Sequence, residues 1–489
     1  MRRFFVKNIL FIVAINILVK PVWIFFIDRV VQNRAPHGDY GTYQALLSLG
    51  IIFQIVLDFG ITSYNSRTIA RDPDQLPVVF PAMLSARLVL MAVYMLLGYG
   101  WGWLLGYRGW ELNLLIGILA FQSLNSLLSF IRSNIAALHR FKTDGILSIT
   151  DRLMMIMVCG FLLIYPPTAH NFRIEWFVIT QVACYFTTAI VAYIVLRRIS
   201  KVKLKFSFHL PTVMGIIRQS LPYAILIFQM GIYNRADAMM IERLCADGKT
   251  QADIWASAFR LLDMVNILGL MFATMLLPMY GRMLSERQDV QPIVKLCANL
   301  LLPLSFVVAV AGIAFSGNIM DLLSVKANAN NLHEYKMVFS WLIASFPAWC
   351  LMYIYSTLLT ANGDLKIMNY IALGGVVLNL SFNFYLIPHF SATGGAITSF
   401  ITQSSLAIAF VIACTHVLKL QTNVRWIMAL LGYLGIVAGL AYCIITWLPM
   451  MWLVQATLFF TICLLFMFIF RFVSVAGIKQ LLNRDKVAA

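Results

Sequence analysis

Run after run of about 20 apolar residues, joined by short polar links, occupies almost the whole of this chain. At a rise of 1.5 Å per residue, such a run crosses the hydrocarbon core of a bilayer as a helix. A spanning segment has no water with which to pair its backbone N–H and C=O groups, so it must be a helix or part of a closed barrel. Runs this long, without strict alternation, select helices. Charged residues make up 12% of the 489 positions, against roughly 25% in soluble domains. The runs fall at 8–31, 42–64, 82–105, 111–138, 146–165, 174–196, 215–241, 252–280, 293–316, 337–360, 367–387, 393–417, 426–447 and 451–472. The expected fold class is therefore all-α integral membrane, with fourteen transmembrane helices.

Lys and Arg give an independent test of that count and fix the orientation. With the N-terminus in the cytoplasm, most of the 37 basic residues lie in or beside cytoplasmic segments, and external ones hold Arg34, Arg108, Arg173, Arg243, Lys249, Lys326 and Lys336. A missed or invented span would scramble this asymmetry, so both termini are expected in the cytoplasm. The net charge of +17 then reads as topology plus attraction to anionic lipid, and no nucleic-acid partner is expected. Trp101, Trp103, Trp110, Trp176, Trp255 and Trp341 fall near the expected external interface. Eight cysteines include no C-x-x-C pair, and only Cys245 lies in an external segment, so no disulfide is expected. The basic-then-apolar N-terminus is too long for a signal peptide and reads as a retained first span.

Four regions follow: 1–200 with spans one to six, a basic cytoplasmic linker at 201–214, 215–417 with spans seven to twelve, and 418–489 with the last two spans and a tail. Ile179-Thr180-Gln181 recurs as Ile401-Thr402-Gln403, and the same offset maps Pro166 onto Pro388. These matches and the equal span counts suggest two six-helix lobes related by a pseudo-two-fold axis normal to the membrane, a recurrent transporter plan, with two C-terminal helices appended.

The polar residues inside the spans carry the functional reading, because a charge at membrane depth normally faces protein interior or water. Span seven contains residues 231–244, GIYNRADAMMIERL, with Asn234, Arg235 and Asp237. Span one contains Asn16 and Lys20 on one helix face, then Pro21, then Asp28 and Arg29 at its outer end. For Asp28 and Arg29 an exposed interface and a cavity remain open. Span four carries Gln122, Asn125, Ser129 and Arg132 as one stripe, either inter-helix hydrogen bonding or a cavity wall. Span two repeats the pattern with Gln54, Asp58, Thr62 and Asn65. Arg235 and Asp237 are two apart and do not face each other, whereas Arg260 and Asp263 are three apart and can neutralise one another. Arg87 and the Asp151-Arg152 pair are further intramembrane charges. Asp237 and Asp58 are candidates for coupling to H⁺ or Na⁺, since neither has an evident same-face cation. No other cofactor, metal site or catalytic constellation is expected. Gly248-Lys249-Thr250 lacks the upstream glycine of a phosphate-binding loop, and the histidines fall in loops or at span ends.

Three stretches, 58–71 (DFGITSYNSRTIAR), 233–241 and 379–398 (NLSFNFYLIPHFSATGGAIT), together with charged first and seventh spans, resemble the oligosaccharide flippases of polysaccharide biosynthesis. These belong to the superfamily of multidrug and toxin extruders and lipid II flippases. The resemblance covers spans one to twelve. It implies translocation of an undecaprenyl-diphosphate-linked oligosaccharide, such as an O-antigen, capsule or exopolysaccharide repeat unit, across the bacterial inner membrane. Two lobes would rock by alternating access. Cavity cations would hold the diphosphate: Lys20 and Arg235 match by position, Arg132, Arg260 and Arg29 less closely, with Asn16, Gln122, Asn125, Ser129 and Asn234 lining the path. The implied partners are the lipid-linked substrate, anionic lipids and the polysaccharide polymerase machinery, around a monomer that is not an enzyme. Efflux of organic cations is the alternative within the superfamily, disfavoured by a cavity richer in Lys and Arg than in acids. A membrane glycosyltransferase or saccharide polymerase is disfavoured by the lack of a large external loop.

Overall fold

The computed structural model describes residues 19, 22–36, 38–59, 61–62, 69, 76–138, 140–165, 172–200, 210–323, 331–421, 424–470 and 472. Among the described residues every regular element is helical. A π-helical turn, Trp23–Asp28, leads into α1 (Arg29–Arg34); α2 (Asp39–Phe53) runs on into a 3₁₀ turn, Gln54–Leu57. Then come α3 (Leu76–Leu104), α4 (Trp110–Ala137), α5 (Phe141–Ile164), α6 (Ile174–Ser200), α7 (Leu210–Leu244) and α8 (Gly248–Ser285). They are followed by α9 (Gln291–Ala314), α10 (Ser316–Leu323), α11 (Leu332–Ala344), α12 (Phe346–Asn362), α13 (Leu365–Leu418), α14 (Val424–Trp447) and α15 (Trp452–Ile469).

The chain is a multi-span membrane protein: among the described residues, 10 helical stretches are long and apolar enough to cross a bilayer. That number takes α11 and α12 together, counts α13 once, and does not include α7 or α8. Expected span 337–360 divides at Ser345, just ahead of Pro347, whose ring carries no amide hydrogen to continue the helical ladder. α13 spans two expected runs and breaks between them at Ser391 (φ 52°, ψ −135°). Its two arms fold onto one another, since a Cβ on Gly375 would lie 2.8 Å from Leu406. α10, a short helix after α9, has no counterpart among the expected runs.

Two compact units form, Met1–Ala256 and Ser257–Ala489, so α7 and the first turns of α8 belong to the first. Between helices in lipid the hydrophobic effect gives little drive, and close backbone approach supplies dispersion instead. In the first unit Gly98 and Gly102 of α3 admit Leu119 and Leu115 of α4, while Gly117 of α4 admits Val178 of α6. α7 lies along α2. Trp23 stacks on Phe177 with centroids 5.8 Å apart, and Tyr43 meets the same ring edge-on at 5.6 Å. In the second unit α9 is the hub against which α11, α12, α14 and α15 pack. The Tyr433 hydroxyl ties α14 to α15 by donating to the Cys463 carbonyl at 3.1 Å. The repeated dipeptides behave alike, Thr180-Gln181 and Thr402-Gln403 each being buried in its own unit. Trp101 and Trp103 are about half exposed, whereas Trp255 is fully buried in the first turns of α8.

Candidate functional site

In the first expected span, residues Trp23–Asp28 form a π-helical turn. Such turns occur singly within helices, often at functional positions. Here the turn delivers Asp28 and Arg29 into the protein, 3% and 7% exposed. Both are therefore packed inside the protein rather than at an exposed interface. Tyr40 of α2 donates its hydroxyl to Asp28 Oδ2 at 3.1 Å, and Arg29 donates to Gln32 Oε1 at 2.7 Å. Gln32 passes the connection on, its amide donating to the Asp253 carbonyl at 3.2 Å and carboxylate at 3.1 Å.

Asp253 lies at the start of α8, and this end of the first unit is knitted together further. The Tyr107 hydroxyl, between α3 and α4, donates to the Glu242 carboxylate near the end of α7. Burial and that carboxylate together push the Tyr107 phenol well above its ordinary pKa, so it stays a neutral donor. The Arg243 guanidinium lies 3.6 Å from the Tyr107 ring centroid. Lys249 reaches Glu111 at 2.7 Å and the Trp110 ring at 5.4 Å. Gly41 of α2 allows the close approach of α8: a Cβ there would strike the Lys249 carbonyl and come within 2.6 Å of the Asp253 amide. Both obstacles are backbone, so α8 would have to move. Gly41→Val is expected to cost about 1–3 kcal/mol as an overpacked contact, read as an earlier thermal unfolding of detergent-purified protein. Gly100→Ala, whose Cβ meets nothing within 4 Å, serves as the control that should not shift.

α7 carries the other half of the expected site. Gly231 lets it press on the α2 backbone, where a Cβ would sit 3.3 Å from Ile52 Cα. Within the next two turns Asn234 and Arg235 are half-buried and Asp237 is 0% exposed. Arg260 and Asp263 are half-buried on α8 in the second unit. Asn16 and Lys20 lie outside the described residues.

Three expected positions take part in cross-helix pairing. Asp58 accepts from the Thr62 amide at 3.1 Å and forms an ion pair with Arg87 of α3 at 2.9 Å. Arg87, 1% exposed, also donates to Thr62 Oγ1 at 2.7 Å and Ser126 Oγ at 2.8 Å, and lies over the Phe130 ring. Gln122 accepts from the Tyr94 hydroxyl at 2.8 Å and donates to the Leu47 carbonyl at 3.4 Å. Arg132 pairs with Asp144 of α5 at 2.8 Å. Within the same stripe Asn125 is half-buried and Ser129 exposed. Gln32, Tyr107, Glu242 and Asp253 were not singled out in the sequence. The one available signal was Glu242, an acid within the charged stretch 231–244.

The sequence profile described as "polysaccharide biosynthesis protein" matches residues 5–284 of the chain. No curated protein sequence matches it. Among solved structures the chain resembles the lipid II flippase MurJ in an inward closed conformation, at 13% identity and TM-score 0.72, covering 98% of this chain and 100% of that one. It also resembles the Vibrio cholerae MATE transporter VcmN in the bent form, at 16% identity and TM-score 0.57, over 84% of this chain and 95% of that one. A MOP superfamily transporter from Pyrococcus furiosus aligns at 13% identity and TM-score 0.56, over 85% and 95%. At these identities the likeness is one of fold.

Proposed function

The chain belongs to the polysaccharide biosynthesis protein family, and from that premise we propose that it is a flippase for an undecaprenyl-diphosphate-linked oligosaccharide, working by alternating access in the bacterial inner membrane. The observation that carries the reading is the charged stretch of α7. Asn234, Arg235 and the wholly buried Asp237 sit in a helix long enough to span the bilayer, where charge is tolerated only toward protein or water. A doubly negative diphosphate in a low-dielectric site needs cations and charge-assisted hydrogen bonds. Lys20 and Arg235 supply them; Arg29, Arg132 and Arg260 shape the field. The prenyl tail stays in lipid while the saccharide crosses in water. Asp237 couples the cycle to H⁺ or Na⁺, and the protein works as a monomer beside anionic lipids and the polymerase machinery.

The proposed topology has fourteen spans and cytoplasmic termini. Membrane-impermeant thiol reagents should label a cysteine placed at Arg108 from outside intact cells and leave one at Lys203 untouched. Labelling at Lys203 would overturn the orientation.

Efflux of organic cations remains the competing reading, supported by the fold shared with MATE transporters and by the buried carboxylates Asp28 and Asp237. A deletion strain decides between them. Lipid-linked repeat units trapped on the inner face of the membrane indicate the flippase. Normal polymer with heightened sensitivity to cationic dyes indicates efflux.

A further inference from the structure

Arg152 is the twelfth of the 24 residues of α5, which places it about 17 Å along a helix rising 1.5 Å per residue, near the bilayer centre. The lipid side of α5 is marked by Met157, Phe161 and Ile164, each more than 60% exposed. Arg152 is not on that side. Met155, Cys159 and Leu163, at three, seven and eleven positions beyond it, share its face and are 0%, 0% and 8% exposed. Yet 30% of the Arg152 side chain remains accessible. A guanidinium on the protein-facing stripe, at mid-membrane depth and still accessible, opens onto internal water, because an ion at that depth does not face hydrocarbon.

The neighbours of this guanidinium hold its plane: Tyr185 shares a hydrogen bond with it, and Asp28 acts on it through its charge. It lies 5.4 Å from the Trp23 centroid in the first span and 5.9 Å from that of Tyr185 on α6. Its ion pair with Asp151 runs through Nε at 3.6 Å, long beside the 2.7–2.9 Å of a charge-assisted hydrogen bond. Nη1 faces the Met155 sulfur at 4.0 Å. Arg132, by contrast, is engaged at 2.8 Å by Asp144. A planar cation flanked by aromatic rings, with its adjacent carboxylate beyond charge-assisted hydrogen-bond distance, is suited to exchange these contacts for an anion.

We propose that Arg152 is a further anion-binding residue of the transport pathway, contacting the diphosphate of the prenyl-linked substrate from α5. The inference rests on the flippase reading above and adds to it a contact from a helix that the charged first and seventh spans do not include. Asp151 holds the guanidinium in the unloaded protein and gives way to phosphate oxygens on loading.

The test uses full-length protein purified in detergent, a fluorescent prenyl diphosphate and the matching prenyl alcohol. The quantity read is the ratio of the two affinities, which a purely structural role for Arg152 would not move in monodisperse protein. The parent is expected to prefer the diphosphate, and Arg152→Gln to shrink that preference by roughly tenfold or more, the loss of a hydrogen-bonded charge. Arg152→Lys keeps charge but not the stacked plane and should fall between. It carries the test alone if the Gln variant does not reach the membrane. A parent without preference for the diphosphate would sink the flippase reading and this inference with it. A preferring parent whose ratio is unchanged in Arg152→Gln, or in Arg152→Lys where that variant stands alone, would overturn the role of Arg152 and leave the reading intact.

Discussion

Alanine at Arg235 is expected to abolish polymer export, by on the order of 100-fold or more, while the protein stays in the membrane at the parent's abundance. The size follows from the chemistry: each hydrogen bond to a charged group contributes about 1.5–3 kcal/mol, and a guanidinium meets a diphosphate through two of them. Arg235 stands half-buried on α7, two residues from the fully buried Asp237. Lys20→Ala should behave in the same way. The conservative exchanges separate the two cations, because a compact ammonium needs only its charge whereas a bidentate guanidinium needs its geometry. Lys20→Arg should therefore retain part of the export and Arg235→Lys almost none. If these cations merely neutralise carboxylates on neighbouring helices, each alanine variant would leave a buried charge uncompensated and lose abundance together with export. Abundance and export measured on the same cells distinguish the outcomes, and normal values of both would remove Arg235 from the site.

The second large effect is expected at Asp58 and falls on stability. Its carboxylate pairs at 2.9 Å with an Arg87 guanidinium whose side chain is 2% exposed. Asp58→Ala leaves that guanidinium buried with hydroxyl partners alone, at a cost of about 3 kcal/mol, the lower end of the range for broken buried pairs because Asp58 itself is partly accessible. Membrane abundance should fall sharply. Asp58→Ala combined with Arg87→Met should recover much of it, since no charge then remains to be buried. A coupling role for Asp58 makes the opposite forecast: an abundant single variant whose transport no longer follows the ion gradient. The ion pair with α3 favours the stability outcome and leaves Asp237 as the stronger coupling candidate.

The helical architecture was legible in the sequence because every spanning segment must be apolar along its own length, a property that needs no partner. The polar positions were legible for the same reason inverted, as each stands out from its own run. What each polar group bonds to was not legible. Arg87 and Asp58, or Tyr107 and Glu242, are brought together from distant parts of the chain by helix packing, and no local periodicity records it. Asp58 has no cation on its own helix face, and its partner Arg87 comes from α3, which periodicity along one helix does not reveal. Trp255 stands at the distance from its span end that suits an interfacial anchor, but the close approach of α2 and α8 at Gly41 buries the first turns of α8. Gly41 itself carries no charge and breaks no run, so nothing in its own stretch marked it.

Transport by the purified chain tests the flippase reading most directly. In liposomes loaded with a fluorescent prenyl-diphosphate-linked saccharide, a membrane-impermeant quencher reports how much of the probe lies in the outer leaflet over time. The parent protein is expected to move the saccharide between leaflets far faster than protein-free liposomes, and Arg235→Ala to return the rate to that background. A parent no faster than empty liposomes, with a matching ion gradient imposed in either direction, would contradict the account.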